Sequence, residues 1–132
     1  MKTKQRGQKE WKIVLYKTER GKCPIKDFMQ TLAEDEKAEM TDKIEYLRIY
    51  GNNIRRPRAD YLRDKIYELR MTLTKNETRT LYFFFNNNEI VLTHAFYKKT
   101  QSVPESEINK AIKYKNDFLN RYNKGNINAS KK

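Results

Sequence analysis

The chain has 132 residues, the usual size of one domain, and it contains no run of about 18 apolar residues that could cross a membrane. Its single cysteine, Cys23, excludes an intrachain disulfide, and with His94 as the only histidine no Cys/His zinc site can be assembled, so we expect neither a metal nor another cofactor. The formal net charge of +12 predicts nucleic acid as the first partner to consider, with a merely solvated lysine-rich surface as the alternative.

We expect one folded domain, residues 11–124, between two terminal segments. Residues 1–10 are polar and basic and are predicted to form a flexible arm. Because this arm has no apolar stretch that could act as a signal peptide, we expect a cytoplasmic protein. Residues 125–132 have too few apolar side chains to offset the entropy of ordering and are predicted to be a disordered tail.

The first predicted elements are a strand and a pair of helices. The β-branched and aromatic residues of 11–17 predict a strand. Pro24 suits the first position of a short helix whose apolar residues recur every three to four positions. A longer helix is predicted from Glu34, where an acidic first turn complements the helix dipole, to Gly51, which can cap its end. We expect the two helices to form a hairpin.

Residues 51–64 are predicted to form a basic loop. The segment contains Gly, Asn and Pro and shows no sustained period. Its arginines are Arg55, Arg56, Arg58 and Arg63.

Three strands are predicted after this loop. Residues 66–73 alternate between apolar and polar side chains, so Glu68 and Arg70 should face away from the larger apolar set. Two more strands, 78–85 and 89–97, are separated by three asparagines, which suit a tight hairpin because Asn tolerates positive φ. The sequence therefore predicts a three-stranded antiparallel meander.

Pro104 is predicted to begin the last helix, which has an acidic first turn, one apolar side and a basic opposite side. The order of strand, two helices, three strands and helix predicts an α+β fold with the helices on one face of a twisted sheet. The other face, which carries Glu68 and Arg70, is predicted to be free for a ligand.

Four motifs follow one another along the second half of the chain. They are Glu68-Leu69-Arg70, then Arg79 followed by Leu81-Tyr82-Phe83, then His94-Ala95-Phe96 with Lys98-Lys99-Thr100, and Pro104 opening a helix that contains Ala111. Their order and spacing resemble the phage-associated HigB-like branch of the RelE/ParE toxin superfamily, and the resemblance covers most of the chain.

The resemblance implies a RelE-like fold and a small basic toxin of a toxin–antitoxin pair. Such a toxin is an endoribonuclease that cleaves mRNA, commonly in the ribosomal A site, and thereby inhibits translation. The implied partners are the ribosome, mRNA and a cognate antitoxin with a helix-turn-helix DNA-binding domain, and no membrane is implied. Gyrase-inhibiting members share the fold, so a non-catalytic gyrase inhibitor and a phage-derived nucleic-acid-binding module are the alternatives.

The resemblance also implies which residues act. It marks Arg70 and Arg79 as phosphate-binding or catalytic residues, and Tyr97, Lys98 and Lys99 as the basic or aromatic group after the last strand. Arginine stays charged and can contact two phosphate oxygens, so we predict that Arg70 and Arg79 clamp the scissile phosphate. Lys98 or Lys99 is predicted to be the base or the acid, with Tyr97 stacking on a base. The alternative for the two lysines is protection of a strand end against aggregation.

Other residues have two interpretations. Glu68 acts as a weak base or pairs with Arg70. Arg79 acts at the site or simply begins its strand at a solvent edge. His94 is catalytic or is a partly buried histidine with satisfied hydrogen bonds, and in either case one histidine excludes a two-histidine mechanism. In the basic loop, we predict that Arg55, Arg56, Arg58 and Arg63 contact RNA phosphates or bind an acidic antitoxin segment.

Overall fold

The computed structural model describes residues 10–125, so the predicted arm and tail lie outside the described residues except for Glu10 and Gly125. The described residues form five strands and three α-helices. Their bounds are β1 Lys12–Leu15, α1 Pro24–Met29, α2 Glu34–Tyr50, β2 Ala59–Arg63, β3 Ile66–Leu73, β4 Asn76–Phe85, β5 Glu89–Tyr97 and α3 Glu105–Asn123. Within the described part of the chain, no helix is long and apolar enough to cross a membrane.

The strands form one sheet in the order β1-β5-β4-β3-β2. Strand β1 runs parallel to β5, and the pairs β5/β4, β4/β3 and β3/β2 are antiparallel. The two helices between β1 and β2 provide the long connection that allows the first strand to pair with the last. The predicted α+β class, the hairpin of helices and the C-terminal helix are confirmed.

The prediction that 51–64 is entirely a loop is wrong. Residues 59–63 form strand β2, in which Asp60 pairs with Glu68, so the antiparallel part of the sheet has four strands instead of three. β2 lies at the edge of the sheet, and apolar and polar side chains do not alternate along it. Backbone pairing with β3 therefore defines this strand.

At one turn and one helix end, the residues are of types that tolerate the positive φ found there. Asn86 and Asn87 have φ values of 58° and 71°, which confirms the predicted asparagine hairpin between β4 and β5. Gly51 ends α2 with a φ of 53°, as predicted. A Cβ at Gly51 would lie 2.0 Å from Nε1 of Trp11, so close packing also requires glycine here.

Both faces of the sheet carry a hydrophobic core, and the predicted free face is therefore only partly free. Helices α1 and α2 cover one face, where Leu69, Met71 and Tyr82 are buried. Helix α3 covers part of the opposite face, where Phe118 packs with Phe83. The expectation that all helices lie on one face is wrong, because the apolar side of α3 requires Leu81, Phe83 and Val91 as its packing surface.

A β-bulge changes which residues of β5 share a face. Leu81 pairs with His94 and Tyr82 pairs with Leu92, so Thr93 is the extra residue. Strict alternation predicts His94 on the same face as Leu92. After the bulge His94 instead lies on the α3 face, where its ring is 5.6 Å from that of Phe96.

Candidate functional site

The candidate site begins with two arginines on adjacent strands. Arg70 of β3 and Arg79 of β4 are directly paired across the antiparallel ladder. Like charges in this position repel each other, so an anion is required between or near them. Both side chains lie on the α3 face of the sheet, outside the area that the α3 core covers.

Glu68 supplies that anion. Its Oε2 accepts hydrogen bonds from Nε and Nη2 of Arg70 at 3.0 and 2.9 Å, and its Oε1 accepts one from Nε of Arg79 at 3.0 Å. The Glu68 side chain is 5% exposed and that of Arg79 is 8% exposed, whereas that of Arg70 is 31% exposed. The interpretation of Glu68 as the partner of Arg70 is therefore supported by geometry, and Arg70 is the more accessible guanidinium.

The network continues on both sides of this trio. Asp60 Oδ2 accepts from Nη2 of Arg70 at 3.4 Å and from Nε of Arg56 at 2.9 Å. On the other side, Nη1 of Arg79 donates to Glu77 Oε1 at 3.2 Å. Alternating cations and carboxylates thus join three strands.

Glu77 is held as a carboxylate. A hydrogen bond from Oγ1 of Thr72, at 3.0 Å, and then the hydrogen bond and charge of Arg79 hold the pKa of Glu77 below its usual range. A carboxylate with a lowered pKa binds a proton weakly, so Glu77 is a poor general base at neutral pH.

The cluster opens into a cleft with a volume of about 440 Å³. The cleft lies at the edge of the sheet, where β3 extends beyond the start of β2, so residues of α2 can also line it. Its charged lining residues are Glu39, Lys43, Arg58, Arg70, Glu77 and Arg79. Four cations against two carboxylates make the lining net positive, which suits a phosphate group.

Tyr97, at the end of β5, and the two lysines that follow it do not all join this cluster. The Tyr97 ring packs against Phe28 of α1 at 5.2 Å, on the opposite face of the sheet from Arg70 and Arg79. The Lys98 ammonium donates to the carbonyls of Thr100 and Gln101 at 2.7 and 3.2 Å, which orders the turn before α3. The Lys98 backbone N–H donates to the Glu77 carbonyl at 2.8 Å, so Lys98 lies next to the cluster. Lys99 is exposed.

The four arginines of the predicted basic loop have different surroundings. Arg55 donates to the carbonyls of Asn52 and Ile54. Arg58 stacks over the Tyr46 ring, 4.7 Å from its centroid, and lines the cleft. Arg56 pairs with Asp60.

Arg63 has a structural role that the sequence prediction did not include. Its Nη2 donates to Glu105 Oε1 and to Asn109 Oδ1, both at 2.7 Å, and its Nη1 pairs with Asp64 at 2.5 Å. These bonds fasten the end of β2 to the first turns of α3.

Sequence reasoning missed Asp60, Glu77 and Lys43. Glu77 lies two residues before Arg79 in the same strand, and this spacing was the available signal for a shared face. Asp60 was hidden because its segment was predicted to be a loop. Lys43 comes from α2, and nothing in the local sequence of the helix indicates that it lines the cleft.

His94 is buried under α3, away from the cleft. Its Nε2 lies 2.9 Å from Glu107 Oε1, and its Nδ1 lies 3.0 Å from Oγ1 of Thr93. The interpretation as a buried histidine with hydrogen-bond partners therefore fits the geometry. Burial lowers the pKa of His94 more than the hydrogen bond to Glu107 raises it.

The fold and this cluster define a small basic α+β protein whose architecture is compatible with a RelE-like fold. The family model described as Phage derived protein Gp49-like (DUF891) matches residues 27–116, and the chain belongs to this family. The matched segment contains the whole arginine–carboxylate cluster. The family is RelE-like and toxin-like, whereas membership of the HigB-like branch stays a prediction. No curated protein matches the chain.

Proposed function

We propose that the protein is the toxin of a toxin–antitoxin pair and that it inhibits translation in the cytoplasm by cleaving mRNA in the ribosomal A site. The observation that carries this proposal is the pair of guanidinium groups, Arg70 and Arg79, fixed side by side by the buried Glu68. Family membership supports the toxin class. The proposed antitoxin is a protein with a helix-turn-helix DNA-binding domain.

The proposed reaction uses the RNA 2′-hydroxyl as the nucleophile. Its oxygen bonds to the adjacent phosphorus, which gives a 2′,3′-cyclic phosphate, and its proton passes to water. Negative charge accumulates on the phosphoryl oxygens, and the bond from phosphorus to the 5′-oxygen breaks as that oxygen takes up a proton. Arg70 and Arg79 stabilise the charge that develops on the phosphoryl oxygens. Glu68 positions both guanidiniums before substrate arrives, which lowers the cost of reorganisation.

Among the residues after β5, Lys99 is the proposed proton donor to the 5′-oxygen. It is exposed, whereas the Lys98 ammonium is engaged by two carbonyls. Tyr97 has no role in the proposed chemistry, because its ring lies on the other face. The proposal uses no metal, since the chain has one histidine and one cysteine.

Primer extension on a defined mRNA tests the proposal. Purified protein is incubated with naked RNA plus EDTA and, separately, with programmed ribosomes in magnesium without chelator. We expect discrete cuts with ribosomes. Arg70→Ala should slow cutting by about 10² to 10³-fold, because one donor to the developing charge is removed. Arg70→Lys should keep part of the rate, since it preserves the charge but not the bidentate geometry.

Arg20→Ala is the matched control, because it removes one exposed charge far along the chain from the cluster and should cut like the unmodified protein. Lys99→Ala should slow cutting without changing the cut positions. Absence of cuts in both arms would reject the endoribonuclease and favour a gyrase inhibitor or a binding module. Full activity of Arg70→Lys would reject the bidentate clamp.

A further inference from the structure

A second cavity lies beside β2 on the sheet face that α1 and α2 cover, and the proposed cleavage site does not use it. Its volume is about 540 Å³, which is within the range of small-ligand pockets. Four aromatic side chains line it, and we call it the aromatic pocket. They are Tyr61, Tyr67, Tyr82 and Phe84.

The rings form a continuous wall. Tyr67 stacks on Tyr82 with centroids 5.5 Å apart, and it meets Phe84 edge to face at 5.1 Å. Tyr61 lies at the open side, 5.1 Å from Tyr67, and is 49% exposed, the most exposed large hydrophobic residue of the described chain. Its hydroxyl accepts a hydrogen bond from the Lys65 backbone N–H at 3.1 Å, which fixes the ring. An exposed but oriented ring is suited to stacking on a planar ligand.

Cations accompany the aromatic wall. Arg55 and Arg56 are both exposed and line the same cavity. The two hydrogen bonds of Arg55 Nη1 hold its guanidinium against the backbone of 52–54 and use at most two of its five donors. The one carboxylate among the lining residues is Asp60, which already pairs with Arg56 and Arg70. The cavity therefore suits a ligand with a planar ring and a negative charge.

Asp60 links the aromatic pocket, which it lines, to Arg70 of the cleavage cleft. Arg56 donates to Asp60 Oδ2 from the side of the pocket, and Arg70 donates to the same oxygen from the side of the cleft. A chain of nucleotides bound in the cleft can therefore extend to the aromatic pocket past Asp60.

We propose that the aromatic pocket binds one unpaired nucleotide of the RNA substrate, with its base against Tyr61 and Tyr67 and its phosphate on Arg55 and Arg56. This inference rests on the proposed function, because it makes the pocket a subsite beside the cleavage cleft. Bases of single-stranded RNA can turn outward to stack on protein rings, whereas paired bases cannot. The residues 1–9 of the chain itself are a poor occupant, since they carry positive charge and no acidic side chain.

Binding and crosslinking test the pocket. The probe is a short single-stranded RNA with 2′-O-methyl groups at every position, so that it cannot be cut, and with a fluorescent end. Tyr61→Ala should weaken its binding about tenfold, because one stacked base loses its platform. Tyr61→Phe keeps the ring and should stay within about twofold of the unmodified protein. Arg55→Ala should weaken binding more than Arg20→Ala, which makes the same change of charge elsewhere.

Tyr122→Ala is the control for loss of an exposed tyrosine, since Tyr122 is 37% exposed and packs on Phe85 at the α3 side. A second probe carries 4-thiouridine and is irradiated on the free protein and on the protein with programmed ribosomes. Peptide mapping should place the crosslink at Tyr61 or Tyr67 of the unmodified protein, a result that does not depend on the folding of a variant.

The outcomes separate this inference from the proposed function. If mRNA is cut but Tyr61→Ala binds RNA like Tyr122→Ala and no crosslink maps to Tyr61 or Tyr67, the pocket is not a nucleotide subsite. Loss of antitoxin binding in Tyr61→Ala with unchanged RNA binding would likewise overturn the inference and assign the pocket to a protein partner. If mRNA is never cut while the crosslink and the Tyr61 effect persist, the nucleotide site stands and the endoribonuclease fails.

Discussion

Glu68 shows how one buried side chain permits two like charges to stand next to each other. Burying a carboxylate costs several kcal/mol, and this cost is offset only if the charge is well paired. Glu68 receives three hydrogen bonds from Arg70 and Arg79. Without Glu68, the buried guanidinium of Arg79 would still pair with the carboxylate of Glu77, but that carboxylate is largely exposed.

We therefore expect Glu68→Ala to lower the free energy of unfolding by about 3 to 5 kcal/mol, the usual loss when one partner of a buried ion pair is removed. Chemical denaturation measures this change. Glu34→Ala is the control, since the Glu34 side chain is 92% exposed and its pair with Lys37 should contribute less than about 1 kcal/mol. If both variants lose the same free energy of unfolding, the buried ion pairs of Glu68 stabilise the fold no more than an exposed ion pair does.

His94 makes stability depend on pH near neutrality. Burial lowers its pKa in the folded protein, while Glu107 opposes and Lys110 assists this shift. In the unfolded chain the pKa is about 6.5, so the unfolded state binds more protons between the two values. The contribution of neutral His94 is therefore complete above about pH 6.5 and is lost as the pH falls through that value towards the folded pKa.

Denaturation of the unmodified protein and of His94→Gln between about pH 7.5 and pH 5.5 tests this expectation, since most carboxylates stay ionised in that window. We expect the difference in unfolding free energy between the two proteins to shrink as the pH falls, because glutamine does not titrate. A difference that stays constant or grows at lower pH would mean that folding does not lower the pKa of His94.

At the scale of elements, the end of α2 depends on a glycine for two separate reasons. Gly51 has φ and ψ of 53° and −123°, a combination that side chains strongly disfavour, and a Cβ there would overlap the Trp11 indole. Gly21 also has a positive φ, 92°, but a Cβ there would meet nothing within 4 Å. A side chain at Gly21 would thus cause backbone strain alone, whereas one at Gly51 would cause both backbone strain and a steric clash.

We predict that Gly21→Ala lowers the free energy of unfolding by about 1 to 3 kcal/mol through backbone strain alone. Gly51→Ala should lower it further, because Trp11 must also move out of the core. Thermal and chemical denaturation of both variants measure the difference. The same loss in both would mean that the Trp11 contact adds no constraint at the end of α2.

The elements that sequence predicted correctly are those with a strong local signal. Helix α3 has Pro104 before it, an acidic first turn and a regular apolar side, and the hairpin after β4 has asparagines at its positive-φ positions. Strand β2 has no such signal, because its residues do not alternate between apolar and polar side chains, and the turn to β3 places positive φ on Asp64 and Lys65, which are neither glycine nor asparagine. The bulge at Thr93 likewise depends on how β5 fits β4, so alternation placed His94 on the wrong face.

At the scale of the whole molecule, the sequence predicted the arginine pair but not its surroundings. The resemblance marked Arg70 and Arg79, and alternation placed Glu68 on the same face as Arg70. The observed pairing of β3 with β4 is what sets Arg79 next to Arg70. Asp60 comes from β2, whose hairpin with β3 was not predicted, and Lys43 comes from α2, which joins the site only through tertiary packing. Tyr97 was grouped with the arginines by its position in the chain, yet one step along a strand moves a side chain to the opposite face.

The net charge of +12 makes RNA binding by the whole molecule depend on salt, and the arginines before and within β2 should contribute unequally. For single-stranded RNA, each phosphate that the protein no longer neutralises should reduce the slope of log affinity against log salt by about 0.7.

We expect this reduction for Arg55→Ala and Arg58→Ala, whose guanidiniums have no ion pair among the described residues. Arg63→Ala removes the same charge but should change the slope less, because Arg63 is already neutralised by Asp64 and Glu105. Fluorescence anisotropy at several KCl concentrations measures the slopes. If Arg63→Ala and Arg58→Ala give equal slopes, the total charge and not the placement of the charges determines how the protein binds RNA. If RNA binding by the unmodified protein does not depend on salt, electrostatic binding is rejected altogether.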